Sequence, residues 1–295
     1  MPSSAPKRTR TYPEILAELR EYREEWRRLD LRVSRSRFDA YERALVRLQA
    51  VVEDPALAVT LSPSEVSFFY QMLADIYEFN DVSRWLLKSH GVKFGKRVRK
   101  VFSGPDVQSD EKDGASGTSR NTLFELTVAS FIHQSGLPID ITGISDVVSE
   151  FEGRSVVVEA KRPLTKAGAR GLVREAVSQL KKRFPNGKGE GIGIIAMSCS
   201  RIWTEGTKMA SNASNDVIQA ALESAHHQLT DDIRVEWSSS DFVDAVLLYS
   251  TVVGSSSGPD IHSFVTVLAN RPEGHPLEGP VARLFALIGT AIKAS

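Results

Sequence analysis

Two short segments that read as strands, Ile144–Phe151 and Ser155–Ala160, flank the dipeptide Glu152-Gly153. A two-residue loop is a length that β-hairpins favour, so this stretch predicts a hairpin with a fixed register. The elements around it are of mixed type. Thr122–Ser135 reads as a helix stopped by Gly136 and Pro138, Ala167–Phe184 as a second helix, and Gly191–Met197 as a short buried strand. Asn212–Leu229 reads as a helix, Phe242–Val253 and Ile261–Leu268 as strands, and Pro280–Ala294 as a closing helix. Helices interleaved with strands in this order predict an α/β or α+β domain.

The chain before the hairpin is different. Leu16, Leu19, Tyr22 and Trp26 recur at helical spacing, and so do Phe38, Tyr41, Leu45 and Leu48. Pro55 and Pro63 punctuate the next stretch, and Ser62 or Ser64 can cap a third helix carrying Val66, Phe69, Leu73 and Ile76. A shorter helix is expected near Val82–Leu87, and no strand before residue 100. Ser103–Ser119 is rich in Gly, Ser and Asp and reads as a linker or mobile loop. The expected organisation is a helical domain over 1–102, a linker over 103–119 and an α/β domain over 120–295.

Hydrophobic residues at 41% and charged residues at 25% argue against a largely disordered chain. The single cysteine, Cys199, excludes a disulfide within the chain and a Cys-rich zinc site. The first ten residues are polar and basic, with no apolar signal core behind them, and no stretch approaches the ~18 apolar residues that span a bilayer. The expectation is a cytoplasmic protein without a membrane partner.

A two-residue turn pairs Phe151 with Arg154 and carries the register out to Asp146 opposite Glu159. Directly opposite residues have Cβ atoms about 4.5–5.5 Å apart. Alternation puts Lys161 on the face of Glu159 and sends Val156, Val158 and Ala160 to the other face, into a core. Two close carboxylates repel unless a cation joins them, and a hard divalent cation such as Mg²⁺ suits an all-oxygen site. Bound metal can activate water and stabilise charge developing on a phosphate, and a nearby ammonium can orient that water or neutralise that charge. The same residues also read as a surface hairpin with a cross-strand Glu–Lys pair. Glu125 shares a helix face with Ala129 and Ile132, which reads as a half-buried ligand or as an exposed first-turn acid. Gln179 reads as a support for the site or as a solvent-facing residue.

The 37 Lys and Arg balance the 37 Asp and Glu, but unevenly along the chain. Lys161–Lys188 holds nine basic residues against Glu175 alone, and Lys88–Lys100 holds six with no acid. Such clusters attract backbone phosphates. Eight acids against Arg234 lie in Asp216–Asp260. The histidines show no zinc spacing, and Cys199 reads as buried. The alternate glycines Gly187, Gly189, Gly191 and Gly193 precede a strand instead of following one, which excludes a dinucleotide or P-loop reading and predicts a loop entering the strand. Trp26, Trp85 and Phe68-Phe69-Tyr70 read as helical core.

On these residues the chain resembles the PD-(D/E)xK nuclease superfamily over roughly Arg120–Met197. The first-motif acid falls on Asp146, the (D/E)xK triplet on Glu159-Ala160-Lys161, the preceding-helix Glu on Glu125 and the following-helix Gln on Gln179. Ser145 stands where the name-giving Pro would be. The resemblance implies a restriction-endonuclease-like αβββαβ core with extra C-terminal strands and a helix, preceded by a small all-helical domain. It implies a Mg²⁺-dependent endo- or exodeoxyribonuclease, with Mn²⁺ as a substitute, in bacterial defence, restriction or repair. Asp146, Glu159 and Glu125 would bind metal, Lys161 would position or activate water, and Gln179 would support the site. Arg162, Arg170, Arg174, Lys96 and Arg97 would be the phosphate contacts. RNA cleavage, and binding or assembly without cleavage, are the alternatives. The N-terminal helices would dimerise, meet a partner protein or help grip DNA.

Overall fold

The computed structural model describes residues 11–28, 36–87, 96–106, 110, 117–143, 146–185, 191–204, 210–211, 215–255, 259–269 and 278–294. Three helices come first: α1 (Tyr12–Arg28), α2 (Arg37–Glu53) and α3 (Pro63–Leu86). Ser62 caps α3: the Glu65 N–H donates to its Oγ at 3.3 Å, and the Ser62 N–H donates back to the Glu65 carboxylate at 2.9 Å. The separate helix expected near Val82 is the end of α3. No Gly or Pro interrupts residues 64–86, and the polar Asn80 and Ser83 are buried inward-facing positions there. The Trp26 indole N–H donates to Ser83 Oγ at 2.7 Å, and its ring packs against Phe79 and edge-on to Phe102. Phe38 adds to this aromatic cluster, and Trp26 and Phe69 are buried as expected.

The α/β part runs α4 (Thr118–Gln134), β1 (Ile139–Asp140), β2 (Val147–Phe151), β3 (Arg154–Lys161), α5 (Lys166–Arg183), β4 (Gly191–Ser198), α6 (Ser200–Thr204), β5 (Ala210–Ser211), α7 (Asn215–Trp237), β6 (Ala245–Ser255), β7 (Pro259–Ala269) and α8 (Glu278–Ala294). The seven strands form one mixed sheet. β1, β2 and β3 are antiparallel neighbours, and β4 runs parallel to β3 after the α5 crossover. β6 is parallel to β4 over its first half and to the short β5 at its far end, and β7 pairs antiparallel along its whole length. The protein is thus α/β with a mixed open sheet.

Alternation along the strands sorts the two cores. Val156, Val158, Ile192, Ile194, Leu247 and Tyr249 face a core shared with α1, α2, α3, α4 and α8. Val157, Ile195, Met197, Val246 and Leu248 face the other core, covered by α5 and α7. The N-terminal helices therefore share one continuous apolar core with the sheet. β4 begins at Gly191, where the strand was expected to begin, so Gly191 and Gly193 belong to the strand and not to the loop entering it; Gly187 and Gly189 fall outside the described residues. A Cβ on Gly193 would stand 2.0 Å from the Phe242 carbonyl oxygen, because the strand runs hard against the 242–244 segment. No helix among the described residues is long and apolar enough to cross a membrane.

A buried polar network ties the helical layer to α4. Asp75 on α3 accepts the Tyr41 hydroxyl at 2.6 Å and Arg120 Nε at 2.8 Å, with Arg37 at 3.8 Å. Burial alone would raise the Asp75 carboxyl, but Arg120, Arg37, the Tyr41 hydroxyl and Arg162 together hold it below the ordinary carboxylate range. Arg120 also donates to the carbonyls of Pro105 and Asp106, so the start of the tract expected to be a mobile linker is pinned. Residues 107–109 and 111–116 of that tract lie outside the described residues.

On the other side of the sheet, His226 of α7 is buried. It hydrogen-bonds Ser250 Oγ through Nε2 at 2.8 Å and Thr266 Oγ1 through Nδ1 at 2.9 Å, joining α7 to β6 and β7. Burial, helped by neighbouring His227, pushes its pKa down to about 4. Asp75→Asn should lower unfolding free energy by about 3–5 kcal/mol, since it strands buried guanidinium groups; urea unfolding at neutral pH measures this. The folded state keeps His226 neutral where the unfolded chain, with a His pKa near 6.5, takes a proton. Stability should therefore be whole above about pH 6.5 and fall by roughly 3 kcal/mol as pH drops to about 4. A His226→Asn variant should lose that increment of pH dependence in parallel urea titrations.

Candidate active site

The β2–β3 hairpin is closed by Glu152 at φ 51° and Gly153 at φ 71°, both left-handed, as a two-residue turn matching the strand twist requires. The register runs from Phe151 opposite Arg154 to Val147 opposite Val158. Asp146 directly precedes β2, and continuing this register by one residue sets it against Glu159. Asp146 Oδ2 accepts the Ala160 backbone N–H at 2.8 Å, which holds the carboxylate against the end of β3. Both acids are interior: Asp146 is 7% exposed and Glu159 2%. Arg283 on α8 grips the turn itself, donating to both Glu152 carboxylate oxygens at 2.8 and 2.7 Å.

Glu159 and Lys161 share the face of Val157, toward α5. α5 begins at a Thr165 cap, whose Oγ1 accepts the Gly168 N–H, and lies back across β3. That crossover brings Gln179 to Lys161: Lys161 Nζ donates to Gln179 Oε1 at 2.6 Å. Glu175, one turn earlier on the same helix, accepts from Nζ at 3.1 Å. Glu175 is the lone acid of the basic segment, and its spacing of four from Gln179 puts the two on one helix face; what the sequence does not show is that both meet Lys161.

Glu125 is half-buried on α4. Its helix covers the opposite face of the sheet from α5. Among the described residues, no group of three or more His, Cys, Asp and Glu side chains is arranged to hold a metal ion. The residues that could hold one here are the pair Asp146 and Glu159. Their hard all-oxygen donors fit Mg²⁺, which commonly rests on one or two carboxylates plus substrate phosphates and waters.

The basic residues sort into three groups. Arg162 is in the interior, 9% exposed, and its charge acts on Asp75 across in α3; as a phosphate contact it would have to leave that network. Arg170 and Arg174 are on the exposed side of α5 but reach to α7: Arg170 Nε donates to the Asp232 carbonyl at 2.7 Å, and Arg174 lies 3.5 Å from Glu236. Lys166 pairs with Asp232 at 2.9 Å. The basic and acidic stretches thus meet across the α5–α7 contact. Lys96 and Arg97 open a short 3₁₀ helix, Lys96–Phe102, and their side chains and residues 88–95 lie outside what is described.

Since the Asp146 carboxylate satisfies the Ala160 N–H, Asp146→Ala should cost about 1–3 kcal/mol by leaving that donor unmet, whereas Asp146→Asn keeps an acceptor oxygen and should cost less. Thermal and urea unfolding of both variants measures the difference.

No protein-family model, no curated protein and no solved structure matches this chain.

Proposed function

We propose that the chain is a Mg²⁺-dependent phosphodiesterase that hydrolyses DNA on a restriction-endonuclease-like core. The observation that carries this reading is the convergence at the end of one hairpin: Asp146 held opposite Glu159, with Lys161 beside them and bonded to Gln179. The order α4, β1, β2, β3, α5, β4, with β4 parallel to β3, supports it.

Asp146 and Glu159 would hold the ion, which when bound supplies Lewis-acid polarisation of a phosphate oxygen. Lys161 presents an ammonium to the charge that gathers on the phosphate as water attacks phosphorus and the P–O bond breaks. Gln179 orients that ammonium, and its amide oxygen leaves the positive charge in place. The interior position of both carboxylates keeps competing water away from them. Glu125 lies on α4, across the sheet from the face that carries Glu159 and Lys161, so the proposed ion rests on Asp146 and Glu159 without it.

Linear, circular and single-stranded DNA, and RNA, incubated with the protein in Mg²⁺, Mn²⁺ or EDTA test the proposal. DNA should be cut with metal and left intact in EDTA. Asp146→Asn and Lys161→Ala should each slow cutting by about 10²–10⁴-fold, the size of a lost electrostatic or acid–base group. Absence of cutting under every metal, or variants as active as the parent, overturns the nuclease reading. Cutting of RNA alone reassigns the substrate, and salt-sensitive binding without cutting reassigns the domain to binding.

A further inference from the structure

Resting on that reading, we infer that Glu175 is an internal stand-in for the substrate phosphate, a positioning residue that holds Lys161 until a phosphodiester displaces it. Lys161 is shielded, its side chain 10% exposed, whereas the Glu175 side chain is 54% exposed. The ammonium has two acceptors on α5: a neutral one, Gln179 Oε1 at 2.6 Å, and an anionic one, Glu175 Oε1 at 3.1 Å. The neutral contact is the shorter and the more enclosed. The anionic one stands at the solvent side, where an incoming anion must arrive.

A carboxylate and a phosphodiester offer an ammonium the same thing, oxygen acceptors carrying negative charge. A half-exposed ion pair is weak, so Glu175 can be displaced at small cost. The flanking charges of α5 do not compete for this role, because Lys166 and Arg174 turn to Asp232 and Glu236 of α7. Gln179 keeps Lys161 in place during the exchange, so the ammonium does not swing away when Glu175 leaves. The device favours a charged phosphodiester over a neutral ligand, since only an anion replaces what Glu175 supplied.

The test is a double-mutant cycle on binding. A fluorescein-labelled DNA oligonucleotide is titrated by anisotropy in EDTA and in Ca²⁺, with wild type, Glu175→Gln, Glu175→Asp, Lys161→Gln and the Glu175→Gln/Lys161→Gln pair. Glu175→Gln should bind about two- to fivefold more tightly, the size of an exposed ion pair, and Glu175→Asp should bind like wild type. In the Lys161→Gln background the gain should vanish, because the competition runs through that ammonium. In Mg²⁺, KM for Glu175→Gln should fall by the same factor, which a merely structural role would not produce. Melting curves show that each variant is folded. Unchanged or weaker binding by Glu175→Gln, or a gain that persists without Lys161, overturns the inference. A cycle that holds while no DNA is cut overturns the nuclease reading alone; cutting with a failed cycle overturns this inference alone. An oligonucleotide that wild type does not bind overturns both.

Discussion

The Asp75 carboxylate decides how the layers meet. It is buried, and a buried charge is tolerated only when opposite charges and hydrogen bonds surround it. Here the partners come from three places: Tyr41 and Arg37 on α2, Arg120 at the start of α4, and Arg162 just beyond β3. The helical layer, the first helix of the α/β part and the end of the central hairpin are thus registered by one anion. Arg162 follows Lys161 directly, so its charge reaches Asp75 from the residue next to the end of β3.

The second constraint is the two-residue period of β3. The alternation that sends Val156 and Val158 into one core and Val157 into the other also sends Glu159 and Lys161 toward α5. Placing Glu159 and Lys161 requires no special backbone, only the continuation of the alternation of a core strand to its end, with Ala160 between them turned to the core. What the strand cannot supply, α5 does, through two acceptors one helical turn apart.

Local features were legible in the residues, and distant pairings were not. Glu152-Gly153 allows one hairpin register, so the opposition of Asp146 and Glu159 follows from counting. α3 was harder: Asn80, Asp81 and Ser83 look like a helix end, yet they are buried and Ser83 receives the Trp26 indole N–H. Nothing local joins Arg120 to Asp75, which are 45 residues apart, or Arg174 to Glu236, which are 62 apart. Each segment's charge was plain, but a basic helix face reads the same whether it meets DNA or an acidic neighbour. β1, with two residues, carries no periodicity to detect. The strand over Gly191–Met197 was legible, but the reason for its glycines is not local: Gly193 is crowded by the Phe242 carbonyl, and Gly191 by the Phe184 ring and the Ser155 carbonyl.

The spacing of contacts along the chain also orders assembly. The β2–β3 hairpin closes on itself, and Lys161 meets Gln179 after a span of only 18 residues. The joint between β4 and the strand beyond it needs Gly193 to find Asp244, 51 residues away, with α7 to be packed on the way. Contacts of short span form before those that must close long loops. During synthesis, then, the hairpin and its crossover helix can bring the lysine and its amide partner together while the chain's last strands are still emerging.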